Sequence, residues 1–179
     1  NSPAEKDALA AVRAAPPIPN LTEHLQPLSD ADWPQLISRL RRVKLIAPES
    51  KHRPDTLDAH PLVREHFGKQ LKQEYPAAWR EAHSRLYEYY KSTVKEFPNT
   101  IEEMAQLYAA VMHGCQAGKH QEALIEVYWK RIARGDEEFA VSKLGAFGAD
   151  LAALSGFFDP PWRQPVATLR EDYKSFVLG

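Results

Sequence analysis

The sequence has a single cysteine, Cys115, which excludes an intramolecular disulfide framework and fits a reducing compartment. No apolar run approaches the roughly 20 residues that a membrane-spanning helix needs. The opening Asn1-Ser2-Pro3 has neither the charged nor the apolar region of a secretory leader, so the cytoplasm is the expected location, with no membrane partner. Charge of one sign is also lacking: the formal net charge is -1, and nothing global draws the chain to nucleic acid. There is no G-x-x-x-x-G-K-[ST] loop, because Gly145-Ala146-Phe147-Gly148 is not followed by the Lys-Ser/Thr pair. The chain itself therefore carries no nucleotide-binding core and binds no cofactor of its own.

Catalytic and metal-binding patterns are missing too. His113, Cys115 and His120 have no second short-spaced Cys/His cluster beside them, as a zinc site would require. Two residues apart on one helix, His113 and Cys115 face different ways, which disfavours a thiol–imidazole pair. Glu102-Glu103 and Asp136-Glu137-Glu138 stand at expected helix starts, where carboxylates favour the helix dipole without acid–base work. No catalytic residue and no metal ligand is assigned, and the chain is not expected to be an enzyme.

What is present reads as globular and mostly helical: 44% hydrophobic and 26% charged residues is an ordinary folded composition. Two regions with different patterns meet near Tyr75, giving expected domains at 1–75 and 76–179. In the first, an Ala-rich helix from Asp7 to Ala14 stops before Pro16-Pro17, and Asn20 to Leu25 forms a short turn or helix. Ser29 then caps a helix with Trp33, Leu36, Ile37, Leu40 and Val43 on one face. Arg39, Arg41, Arg42 and Lys44 fall largely off that face. Leu45 to Pro48 and Thr56 to Ala59 read as two short strands around a polar turn, Glu49 to Asp55. Pro61 opens the next helix, whose buried face is expected to hold Leu62, Val63, Phe67 and Leu71. A hairpin set between helices in this order is a winged-helix arrangement.

The second region is purely helical. Trp79, Ala82, His83, Leu86, Tyr89 and Tyr90 make the apolar stripe of its first helix, and Thr100 with Glu103 makes a capping-box start for the next. That helix runs to Gly118, a partner follows from Gln121 to Arg134 with Gly135 as its closing residue, and another extends from about Glu137 to Phe158. Gly145 and Gly148 are expected to permit close helix packing. The aromatic set Trp79, Tyr87, Tyr89, Tyr90, Tyr128 and Trp129 is expected to be mostly core, with Tyr87 or Trp129 left for a partner surface. The amphipathic pattern from Leu169 to Gly179 predicts a helix that continues further, as in a segment of a longer protein.

Two resemblances follow from particular residues. Leu107 to Arg134, with Gly118, Ala123 and Val127 at the expected small and apolar positions, is similar to a tetratricopeptide repeat, although Val111 stands where a small residue is usual. The stretch Leu57-Asp58-Ala59-His60-Pro61-Leu62-Val63-Arg64-Glu65-His66-Phe67 resembles the hairpin-to-helix junction in the winged-helix domain of bacterial STAND-type signalling ATPases, the NB-ARC and NACHT group. Leu36 to Leu40 with Leu45-Ile46, Trp79 to Tyr90 and Ala140 to Pro161 extend that resemblance. It implies a non-catalytic regulatory segment whose winged helix restrains the nucleotide domain of the same chain, while the helical array relays a protein partner. By the same resemblance, His60 would sense the phosphate of ADP, and ADP and ATP would be ligands of the parent protein. Ala59 and Pro61 stand where the family often has methionine and aspartate. The alternative is a winged-helix DNA-binding regulator with a helical sensor domain; Arg39, Arg41, Arg42, Lys44 and Arg64 would then contact DNA, or a neighbouring domain in the first reading. A plain helical scaffold is the third.

Overall fold

In the computed structural model, residues 10, 13–49 and 57–178 are described. The chain is mainly helical, and it divides into two compact units, Asn1–Ala78 and Trp79–Gly179.

The first unit is built around α1 (Asp32–Arg42). Its start is set by Ser29 and Asp32, which bond reciprocally: the Asp32 N–H donates to Ser29 Oγ at 3.1 Å, and the Ser29 N–H to Asp32 Oδ2 at 3.2 Å. Ser29 also donates its hydroxyl to Asp32 Oδ2 at 2.6 Å, and these bonds hold the Asp32 carboxyl below its usual range. Trp33 and Ile37 form a small core with Leu25, Leu28, Leu36, Ile46 and Leu57 around them. Val43, expected on the same face, is exposed, because the helix has already ended there. Lys44 takes a left-handed conformation (φ 61°), the Leu45 N–H reaches back to the Leu40 carbonyl at 3.0 Å, and the Lys44 N–H to Arg41 at 3.0 Å. This is the helix-ending motif usually built on glycine.

That ending explains why the expected hairpin is not formed. The N–H groups of Leu45 and Ile46, which a first strand would give to its neighbour, both return to the Leu40 carbonyl. Among the described residues only Ala47 bonds across, to the Asp58 carbonyl at 2.7 Å. One such bond does not make a ladder. Residues 45–49 and 57–60 carry no strand, and the polar turn between them, beyond Glu49, lies outside the described residues, as does most of the expected Asp7–Ala14 helix. α2 (Pro61–Glu74) follows, with Pro61 in the position where a missing N–H costs least. It buries none of its residues; Leu62 and Phe67, expected inside, are 67% and 52% exposed.

The second unit is a helical array with one continuous core. Its first helix, α3 (Pro76–Thr93), buries Tyr87 completely and leaves Leu86 and Tyr89 exposed. The inward stripe runs through Trp79, His83, Tyr87 and Tyr90 rather than along Leu86 and Tyr89. Tyr87, one of the two aromatic residues considered for a partner surface, is thus a central core residue. α4 (Ile101–Gln116) starts at the capping box: Thr100 Oγ1 accepts from the Glu103 N–H at 3.2 Å, and Glu103 reaches back to the Asn99 N–H at 2.9 Å. α5 (His120–Glu122) then runs into a π-helix, Ala123–Ala133, antiparallel to α4. Ala123 lies against Gly114, while Arg134 at the far end reaches the Pro98 carbonyl and Asn99.

The π winding answers a conflict in the sequence. An α-helix that buries Leu124, Val127 and Tyr128 would bring Arg131 onto the same face. Wider winding instead buries Ala123, Leu124, Val127, Tyr128, Ile132 and Ala133, whose spacings of four, five and nine suit i→i+5 hydrogen bonds. Arg131 is turned aside to the end of α3. There it donates to four carbonyls: Lys91 at 2.8 Å, Val94 and Lys95 at 3.0 Å, and Glu96 at 3.1 Å. A cation on these orphan carbonyls also complements the helix dipole.

Two glycine expectations change. Gly118 (φ +79°) is a turn residue with open space around it, whereas Gly114 is the close-packed one: a Cβ there would stand 2.8 Å from Ala123 Cβ and 3.0 Å from Tyr87. Gly145 and Gly148 approach nothing within 4 Å. Gly145, at φ +66°, breaks the helix expected over Glu137–Phe158 into α6 (Phe139–Ser142) and α7 (Phe147–Ser155). α8 (Glu171–Leu178) completes the unit. Among the described residues no strand occurs; one isolated antiparallel bridge joins Phe158 and Pro165.

Candidate functional site

His60 is exposed at the N-cap of α2, and its Nδ1 accepts from the Leu62 N–H at 3.3 Å. Pro61 leaves Leu62 as the first donor of that helix, so the imidazole takes the place a Ser or Asp oxygen normally fills. With Nδ1 accepting, the neutral ring carries its proton on Nε2, and this second nitrogen is a donor. Arg64, one turn on, pairs with Asp58 at 3.2 Å and closes the junction from the other side.

The basic residues of α1 do not form one patch with Arg64 by any bond. Arg39 and Arg42 are exposed along an open groove that Pro34, Gln35 and Ser38 also line. Arg41 Nε donates to the Ala47 carbonyl at 3.4 Å. All three arginines sit in the last turn of α1, and Lys44 just past it, where positive charge favours the helix dipole.

In the second unit, His83 and His113 face each other with their Nδ1 atoms 2.7 Å apart. One ring must donate and the other accept, so the pair holds a single proton between those atoms. Trp79 lies on His83 (centroids 4.1 Å), and Tyr90 stacks on His113 at 5.5 Å and 6°. Burial lowers the His113 pKa below its usual value. Cys115 points elsewhere, toward Gly156, and its burial pushes the thiol up to about 12. A thiol so protonated is no nucleophile. His120 meets Thr168 Oγ1 at 2.9 Å. Among the described residues no group of three metal-ligating side chains comes together.

The most site-like concavity was not foreseen. A cavity of about 550 Å³ opens between the π-helix, α7 and α8. Trp129, Phe147, Leu151 and Phe176 give it apolar walls, with Trp129 and Phe176 edge to face at 4.9 Å. Asp150 in its lining is 7% exposed and accepts from the Tyr128 hydroxyl at 2.9 Å. Burial raises the Asp150 pKa; the Tyr128 and Tyr108 hydroxyls oppose that rise, and Glu138 adds to it. The Tyr108 hydroxyl is buried near this carboxylate but makes no well-formed hydrogen bond. A concave apolar site with a buried, perturbed acid is where ligand chemistry is expected. The sequence does hold one signal for it: Asp150 is the only charged residue between Leu144 and Phe158.

Comparison with protein-family models, with curated proteins and with solved structures finds no match for this chain. No helix among the described residues is long and apolar enough to cross a membrane.

Proposed function

We propose that this chain is a non-catalytic regulatory and protein-interaction segment of a STAND-type signalling ATPase. The first unit restrains the nucleotide domain of the same protein, and the tetratricopeptide-like second unit relays a protein partner. The observation that carries this reading is α2: a 14-residue helix with apolar Leu62 and Phe67 exposed, led by His60 with a ring nitrogen free to donate. Apolar side chains left uncovered on a helix mark a contact surface. A phosphate oxygen beside the helix start would accept from His60 and benefit from the positive end of the dipole. For the contact to switch anything, it must differ between the ADP and ATP states.

The test is ADP release from the full-length ATPase. His60→Ala is expected to speed dissociation about tenfold, the equivalent of one charge-assisted hydrogen bond. Release at the unchanged rate overturns the sensing role. Tight duplex-DNA binding with a steep salt slope would instead establish the regulator reading, with Arg39, Arg41, Arg42 and Lys44 as phosphate contacts.

A further inference from the structure

The cavity of the second unit has a charge pattern that its own fold does not balance. Its polar lining includes the three carboxylates Asp136, Glu138 and Asp150, and among the described residues no lysine, arginine or histidine lines it. Buried carboxylates are normally paired with a cation or held by several donors. Asp150, 7% exposed, has the Tyr128 hydroxyl, and nearby Glu138 repels its charge. The same lining holds the aromatic rings of Trp129 and Phe176, and aromatic rings attract cations. At about 550 Å³, the space suits a small organic molecule rather than a bare ion.

We propose that this cavity binds a small organic cation, an ammonium or guanidinium head on an aryl or alkyl body. The head pairs with Asp150, helped by Glu138, and the body lies against Trp129, Phe147 and Phe176. Binding would tie α8 to the π-helix and α7, which between them form the walls. The inference rests on the second unit alone and stands or falls independently of the role given to His60.

The experiment titrates the whole chain with three probes of one shape: 2-phenylethylammonium, 2-phenylethanol and 3-phenylpropionate. The shift of the Trp129 indole N–H in NMR spectra reports occupancy. The ammonium is expected to bind at least tenfold tighter than the alcohol, and the carboxylate not at all. Asp150→Asn keeps the side-chain shape and removes a buried charge, so it should fold; it is expected to bring the ammonium down to the affinity of the alcohol. Glu138→Gln, at an exposed position, should reduce the preference without disturbing the fold. Equal affinity for ammonium and alcohol in the unaltered chain overturns the proposal. So does the absence of any Trp129 shift with all three probes at millimolar concentration.

Discussion

α2 and the π-helix are of similar length and both carry apolar side chains at close intervals, yet they fare oppositely. α2 buries none of its 14 residues, while the π-helix buries six of eleven. The difference lies in what the neighbouring sequence supplies. The π-helix has α4 beside it, with Gly114 cleared for contact and Met104, Leu107 and Val111 fully buried. Among the described residues the first unit has a small core cluster of Trp33 and Ile37 with partly buried neighbours around them, and Ile18 and Ala78 are buried besides. Most of the buried core therefore belongs to the second unit, while α2 in the first has no buried residue of its own.

The strongest way to break that comparison is paired truncation. Leu124→Ala, in the fully buried core, should cost about 2–5 kcal/mol. Leu62→Ala, 67% exposed, should stay within about 0.5 kcal/mol. Denaturant unfolding measures both, and equal losses would refute the contrast. Next in size is Arg131→Met, which keeps the stem and abandons four carbonyls at the end of α3; a loss of about 2 kcal/mol is expected in the same assay. Ser29→Ala removes the cap of α1 and should cost about 1 kcal/mol, read as faster amide exchange in that helix.

The smallest effect is a pH dependence confined to the second unit. Burial lowers the native pKa of His113 and of His120 from the ordinary 6.5. Between the lowered value and 6.5 the unfolded chain binds more protons than the native one, so unfolding is favoured as pH falls. This stability is complete above about pH 6.5 and is lost on acidification through that window, because burial disfavours the charged ring, and a second proton at the His83–His113 contact would also set two N–H groups head to head 2.7 Å apart. His113→Gln should flatten the thermal midpoint between pH 7.5 and 5; an unchanged slope would rule out the pair as its source.

Capping was legible in the sequence because it is local. Ser29 with Asp32, Thr100 with Glu103, and Pro61 at the first position of α2 all stand where residue chemistry alone put them. Facing was less legible. Tyr87 and Leu86 are neighbours in sequence, and choosing which one turns inward depends on the close approach of Gly114, contributed by another helix. The hairpin failed as an expectation because Lys44 adopts a glycine-like conformation and sends the next two N–H groups back into α1. The hydrogen bond between His60 and the Leu62 N–H came only with the fold. The Asp150 cavity went unseen because its walls come from three separate segments, residues 128–141, 147–154 and 176–178.

By itself, the sequence determined that the chain is mainly helical and where most helices begin. These depend on side chains reaching backbone groups a few residues away. Tertiary structure alone decided the π winding of Ala123–Ala133, the inward turn of Tyr87 and the assembly of carboxylates and aromatic rings around one cavity. Each of those is a compromise between distant segments competing for the same buried volume, and such a competition leaves no short-range pattern to read.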